Sequence, residues 1–184
     1  MKATAVEIPE SSRLYSEPRD WFDAYEITVP PPNGTLDSWT VCELFLDLSP
    51  CWARLLFAVR NAVVRWVGLK TDTMEPDQAR KLLDSFRRLR EGDFPQEIGV
   101  GGANVFYATP QEIVAGADDW HLEFRVSVLV EPVDENKQFL VTLTTVVRFK
   151  HWFGRLYFLP VKPFHKLIVR NMLVRLEKRL RTES

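Results

Sequence analysis

The chain has 184 residues, of which 46% are hydrophobic and 27% charged, with a formal net charge of −1. This size fits one domain that buries roughly 70% of its unfolded surface, and the even charge excludes nucleic acid as the main partner, since phosphate binding needs a basic field. The two cysteines, Cys42 and Cys51, stand outside any CxxC or Cys/His pattern, which excludes a disulfide frame and a zinc site.

Residues 1–20 are polar and lack periodicity, so they are expected to form a loosely packed N-terminal arm. Glu7, Pro9, Glu10, Arg13 and Glu17 break any apolar run there, so no signal peptide is read. No apolar run reaches the roughly 18 residues of a membrane span, and a cytoplasmic location is expected. Ala24 to Val29 reads as a strand, stopped by Pro30-Pro31-Pro32-Asn33-Gly34. Asp37 then suits the N-cap of a helix carrying Trp39, Cys42 and Leu46 on one face.

Ser49-Pro50 opens a second helix, with Trp52, Leu55, Leu56, Val59, Val63 and Trp66 on one face and Gly68 as its C-cap. Glu75 to Arg90 reads as a third, stopped by Gly92. Four strands follow as a meander: Asn104 to Thr109, Gln111 to Gly116, Trp120 to Glu131 and Gln138 to Lys150, with Asp134-Glu135-Asn136-Lys137 turning the last pair. Strict alternation puts Leu122, Phe124, Val126, Val128 and Val130 on one face of the third of these strands. The fourth carries Phe139, Val141, Leu143, Thr145, Val147 and Phe149 in the same way.

An aromatic-rich turn with Trp152, Phe153, Tyr157 and Phe158 precedes the final helix, whose start Pro160 and Pro163 punctuate. The helix has an apolar stripe at His165, Val169, Met172, Leu173, Leu176 and Leu180, flanked by Phe164 and Ile168. Arg175, Lys178, Arg179 and Arg181 crowd its last turns, where cations complement the helix dipole. The order of elements gives an α+β fold of the helix-grip type: a curved antiparallel sheet wrapped around a long C-terminal helix, with two or three helices inserted after the first strand. This order resembles the Bet v 1, START and polyketide-cyclase group in architecture, which by itself licenses no function.

Two segments resemble a known family more closely. They are Asp119 to Val128 and Thr144 to Phe158 continuing through Val161-Lys162-Pro163-Phe164-His165, joined by Pro50-Cys51-Trp52, Arg60-Asn61 and Gly68-Leu69. They resemble the bacterial family known as domain of unknown function 2867, from about Tyr25 to Leu176, with Trp152 to His165 the most specific run. The resemblance implies a single helix-grip domain, in some members appended to dehydrogenase-like proteins, and no assigned activity. The Glu75 to Arg90 helix is longer than the typical family segment.

Chemistry-bearing motifs are sparse. His121, His151 and His165 lack the i, i+4 spacing of a helical zinc site, so no metal is expected. No G-x-S-x-G elbow exists, and Gly99-Val100-Gly101-Gly102 leads into a strand instead of the helix that a phosphate loop needs. His121, Glu123 and Arg125 share one strand face, with Arg148 and Lys150 beside them, and read as cross-strand pairs on an exposed face.

His165, on the apolar stripe, is expected to face the sheet; with Tyr107 it is the only candidate acid–base residue. The expected site is a pocket for a small apolar or amphipathic ligand between sheet and last helix, without catalysis and without a cofactor. Its lining would be Tyr107, Phe124, Val126, Val128, Phe149, Trp152, Tyr157, Phe164, His165, Ile168 and Met172. Two alternatives stand beside it. One is an enzyme of the cyclase, dehydratase or isomerase type using the same cavity; the other is an interaction domain that packs on a dehydrogenase-like partner or on a second copy of itself.

Overall fold

The computed structural model describes residues 3–31, 34–47, 104–133 and 138–183. The expected helices beginning at Ser49 and Glu75, the glycine-rich run and the Asp134 turn lie outside the described residues. Within them the elements are β1 (Thr4–Ala5), β2 (Trp21–Val29), α1 (Ser38–Asp47), β3 (Asn104–Ala108), β4 (Glu112–Asp118), β5 (Leu122–Val133), β6 (Gln138–Phe149) and α2 (Trp152–Glu183). The strands form one antiparallel sheet in the order β1-β2-β6-β5-β4-β3, so the meander from β3 to β6 closes by placing its last strand against β2. The architecture is α+β, a six-stranded antiparallel sheet with a long C-terminal helix.

The alternation expected of β5 and β6 is realised. Tyr25, Ile27 and Val29 of β2 join Phe139, Val141 and Leu143 of β6 and Val128 and Val130 of β5 on one inner face. Ile168, Val169, Met172, Leu173, Leu176 and Leu180 of α2 pack on this face together with Trp39, Val41, Cys42 and Phe45 of α1. Leu173, Leu176 and Leu180 lose all solvent contact, and burying such a side chain contributes roughly 1.5–3 kcal/mol. The Asp37 cap forms as the sequence suggests: its carboxylate accepts the backbone N–H of Thr40 at 2.8 Å.

Three expectations are corrected. First, β2 starts at Trp21, three residues before Ala24. Second, the arm is not loosely packed. Residues Thr4–Ala5 pair with β2, and Ile8 and Leu14 pack against Phe22, Tyr107, Val114 and Val146 on the outer face of the sheet. A polar, aperiodic segment gave no sign of this, because its anchors are single side chains.

Third, Pro160 and Pro163 lie inside α2, which starts eight residues earlier, at Trp152. Each proline frees the carbonyl four residues back, those of Leu156 and Leu159. Both of these residues are solvent-exposed, so water can satisfy the freed acceptors and the helix continues. The aromatic run is thus the first turns of a helix. Its start docks on β5, where the His121 carbonyl accepts Lys150 N at 3.0 Å and His151 N at 3.2 Å. Gly154 is buried against that same carbonyl.

Candidate functional site

The polar group that stands out on the inner face is Asp23. In β2 it alternates with Trp21, Tyr25, Ile27 and Val29, and this puts its carboxylate under α2. Asp23 is only 7% exposed, and neither carboxylate oxygen has a hydrogen-bond partner among the described residues. Its neighbour across the strand pair is Thr145 of β6. Above both lies His165 of α2, whose Nε2 is 3.1 Å from Thr145 Oγ1 and 3.4 Å from Asp23 Oδ1.

Aromatic rings enclose this cluster. The Trp21 ring meets the His165 ring edge-on at 5.8 Å and the Phe158 ring at 4.7 Å. Burial first, and then the charge of Asp23, push the Tyr25 hydroxyl above its ordinary range, against the opposite pull of Arg170. The low-polarity surroundings raise the cost of leaving a carboxylate with unfilled acceptors.

The strand register continues the site away from α2. Asp23 pairs with Thr145, Thr145 with Val126, Val126 with Ala115, and Ala115 with Val105. All five side chains therefore share the inner face in one row across the sheet, polar at the β2 end and apolar beyond. At about 4.8 Å per strand the row spans roughly 19 Å. Val126, Ala115 and Val105 are each only partly buried.

The residues expected to line a pocket divide into three groups. His165 does face the sheet, and Val126 lies in the row described above. Val128, Ile168 and Met172 are buried in the main core, while Phe124, Phe149 and Tyr157 pack around Leu122, Val147 and Phe158 at the start of α2. Three are not brought to this face of the sheet and helix. Trp152 is 68% exposed and Phe164 is also exposed.

Tyr107 lies on the opposite face of the sheet, because an irregularity in β3 lets Val105 pair with Ala115 but Tyr107 with Val114. Simple alternation would have kept Val105 and Tyr107 together. Tyr107 instead lies under the Arg13 guanidinium at 4.0 Å, and a hydrogen bond from Arg13 holds its phenol below the usual range. It lines an open groove of about 600 Å³ between the arm and the sheet, together with Arg13, Phe106 and Arg125. Tyr107 and His165 therefore cannot serve one active site.

Asp23 was missed by the sequence reading, although the signal existed. Extending the alternation of Tyr25, Ile27 and Val29 backwards by one step reaches a carboxylate on an apolar face. The outer-face charges pair as expected: Arg148 and Lys150 approach Glu123 at 3.4 and 3.3 Å. Arg125 meets Asp118 at 2.7 Å. Among the described residues no group of three or more His, Cys, Asp or Glu side chains is placed to hold a metal ion.

The family model described as "Protein of unknown function (DUF2867)" matches residues 16–172. The chain belongs to this family. The matched span of the DUF2867 domain takes in β2, the whole meander and α2 as far as Met172, so Asp23, Thr145 and His165 all fall inside it. No curated protein and no solved structure matches this DUF2867 chain.

Proposed function

We propose that this DUF2867 domain is a binding module for a small amphipathic molecule lying on the inner face of the sheet, in a helix-grip arrangement. The apolar part of the ligand rests along Val126, Ala115 and Val105, and its polar group sits at Asp23, Thr145 and His165. One observation carries this reading: a buried carboxylate that accepts no hydrogen bond among the described residues, with His165 Nε2 3.4 Å away, heads a row of partly covered apolar side chains. Such a carboxylate is costly unless something donates to it, and a ligand hydroxyl, amide or amine would do so.

The test is native mass spectrometry of protein purified from cells, with thermal-shift titration of long-chain alcohols, amines and polyaromatic probes. A co-purified mass or a stabilising probe is expected. The change Asp23→Asn is expected to weaken that probe by about 10- to 100-fold, the loss of one charge-assisted hydrogen bond. If no mass co-purifies and no probe raises the Tm, the reading is wrong.

The proximity of His165 to Asp23 favours a second reading, in which the same ligand is turned over by acid–base chemistry. A carboxylate beside an imidazole orients the ring. Turnover of a bound probe that is lost in His165→Ala, with the Tm kept, would select this reading over binding alone.

A further inference from the structure

The first half of α2 carries an apolar stripe that faces away from the sheet. Trp152, Leu156, Leu159 and Leu167 recur at intervals of three to eight residues and share one side of the helix, opposite the buried stripe of His165, Val169, Met172 and Leu176. All four are exposed, Leu159 to 66%, and Phe164 is exposed beside them. From Trp152 to Leu167 the stripe runs about 22 Å at 1.5 Å per residue. An apolar strip of this length on an otherwise polar helix surface marks a contact site.

The charges along it say what kind of contact. Between Trp152 and Leu176 the helix holds Arg155, Lys162, Lys166, Arg170 and Arg175 and not one Asp or Glu, in a chain whose net charge is −1. We propose that this face of α2 is a peripheral binding surface for an anionic lipid bilayer, with the leucines and Trp152 in the interface and the cations against lipid phosphates. An in-plane helix of this type joins large apolar residues on one side to Lys and Arg on its flank. Trp152 is of the residue type that settles at the headgroup level, and the exposed Trp120, stacked on Phe153 at 5.5 Å, lies at the same end.

Two neighbouring observations fit this occupant. Lys162 and Arg170 sit 5.7 and 6.0 Å from the centroids of the Trp21 and Tyr25 rings of β2, so these cations flank the stripe on one side. Arg155 lies 3.6 Å from Asp20, but it is 70% exposed and such a pair holds it weakly. A second copy of the chain is disfavoured, because a two-fold contact through this face would bring like charges together. Among the described residues no helix is long and apolar enough to cross a membrane.

Co-sedimentation with vesicles tests the proposal on the full chain. Pelleting is expected with equal parts phosphatidylcholine and phosphatidylglycerol, and not with phosphatidylcholine alone, and it should fade at high ionic strength. Arg155→Gln and Lys166→Gln should each weaken it by about fivefold. The triple change Leu156→Gln, Leu159→Gln and Leu167→Gln should abolish it while leaving the Tm unchanged. Failure to pellet with the anionic vesicles overturns the proposal. So does a triple variant that still pellets, or one whose Tm falls, which would mean that the stripe is covered within the chain. Capture of a polyglutamate peptide without vesicle binding would assign the face to an acidic protein instead.

Discussion

Ser12 Oγ donates to Glu112 Oε1 at 2.7 Å, joining the N-terminal arm to β4 across 100 positions of sequence. The same carboxylate accepts the Ser127 hydroxyl at 2.5 Å and the Arg13 backbone N–H at 3.0 Å, and Leu14 N in turn donates to Ser12 Oγ at 3.2 Å. Glu112 is thereby buried with its acceptors filled, whereas Asp23 accepts no hydrogen bond among the described residues. Ser12→Ala removes a hydrogen bond to a charged group and is expected to cost about 1.5–3 kcal/mol. It should also release the arm, read as faster tryptic cleavage after Arg13 and Arg19 and faster amide exchange at Leu14. An unchanged cleavage rate would show that the arm is held by something other than Glu112.

Gly154 decides how α2 meets the sheet. Replacing a helical glycine with alanine normally gains about 1 kcal/mol. Here a Cβ would overlap the backbone carbonyl oxygen of His121, which backbone atoms cannot easily vacate. Overpacking of this kind costs about 1–3 kcal/mol, so the clash outweighs the propensity gain. Gly154→Ala is expected to lower the Tm, by about 2–4 °C per kcal/mol for a chain of this size. A higher Tm would mean that the first turn of α2 does not dock on His121.

Cys42 is buried in the main core, and burial, followed by the charges of Asp37 and Glu43, pushes its thiol up to about 12. Its folded value lies above the ordinary 9.0, so the neutral thiol contributes stability that is complete below pH 9.0 and is lost as pH rises towards 12. In a Cys51→Ser background, the denaturant midpoint should fall across this interval, and fall less in Cys42→Ala. The native thiol should resist alkylation until the protein unfolds. Native-state alkylation at the rate of a free peptide thiol would contradict the burial of Cys42.

Much of the fold was legible in the chain because alternation is a local property of the strand backbone. The faces of β5 and β6 follow from Leu122 to Val130 and from Phe139 to Phe149, and the stripe from His165 to Leu180 turns His165 towards the sheet. What local pattern does not carry is a change of register. One extra residue in β3 moves Tyr107 to the outer face, which removed it from the expected site. The prolines of α2 misled for a related reason: whether a freed carbonyl is tolerated depends on its solvent access, which belongs to the packed molecule.

By itself the amino-acid sequence determined the strand and helix faces, the Asp37 cap and the family, since periods of two and 3.6 residues are written in neighbouring positions. Tertiary structure alone decided which carboxylate is satisfied and which is not. Glu112 finds Ser12 and Ser127, whereas Asp23, beside His165 and Thr145, accepts no hydrogen bond among the described residues. Two acidic residues on strands look alike in a sequence. Their difference arises from donors brought in from distant parts of the chain, and only folding can supply those.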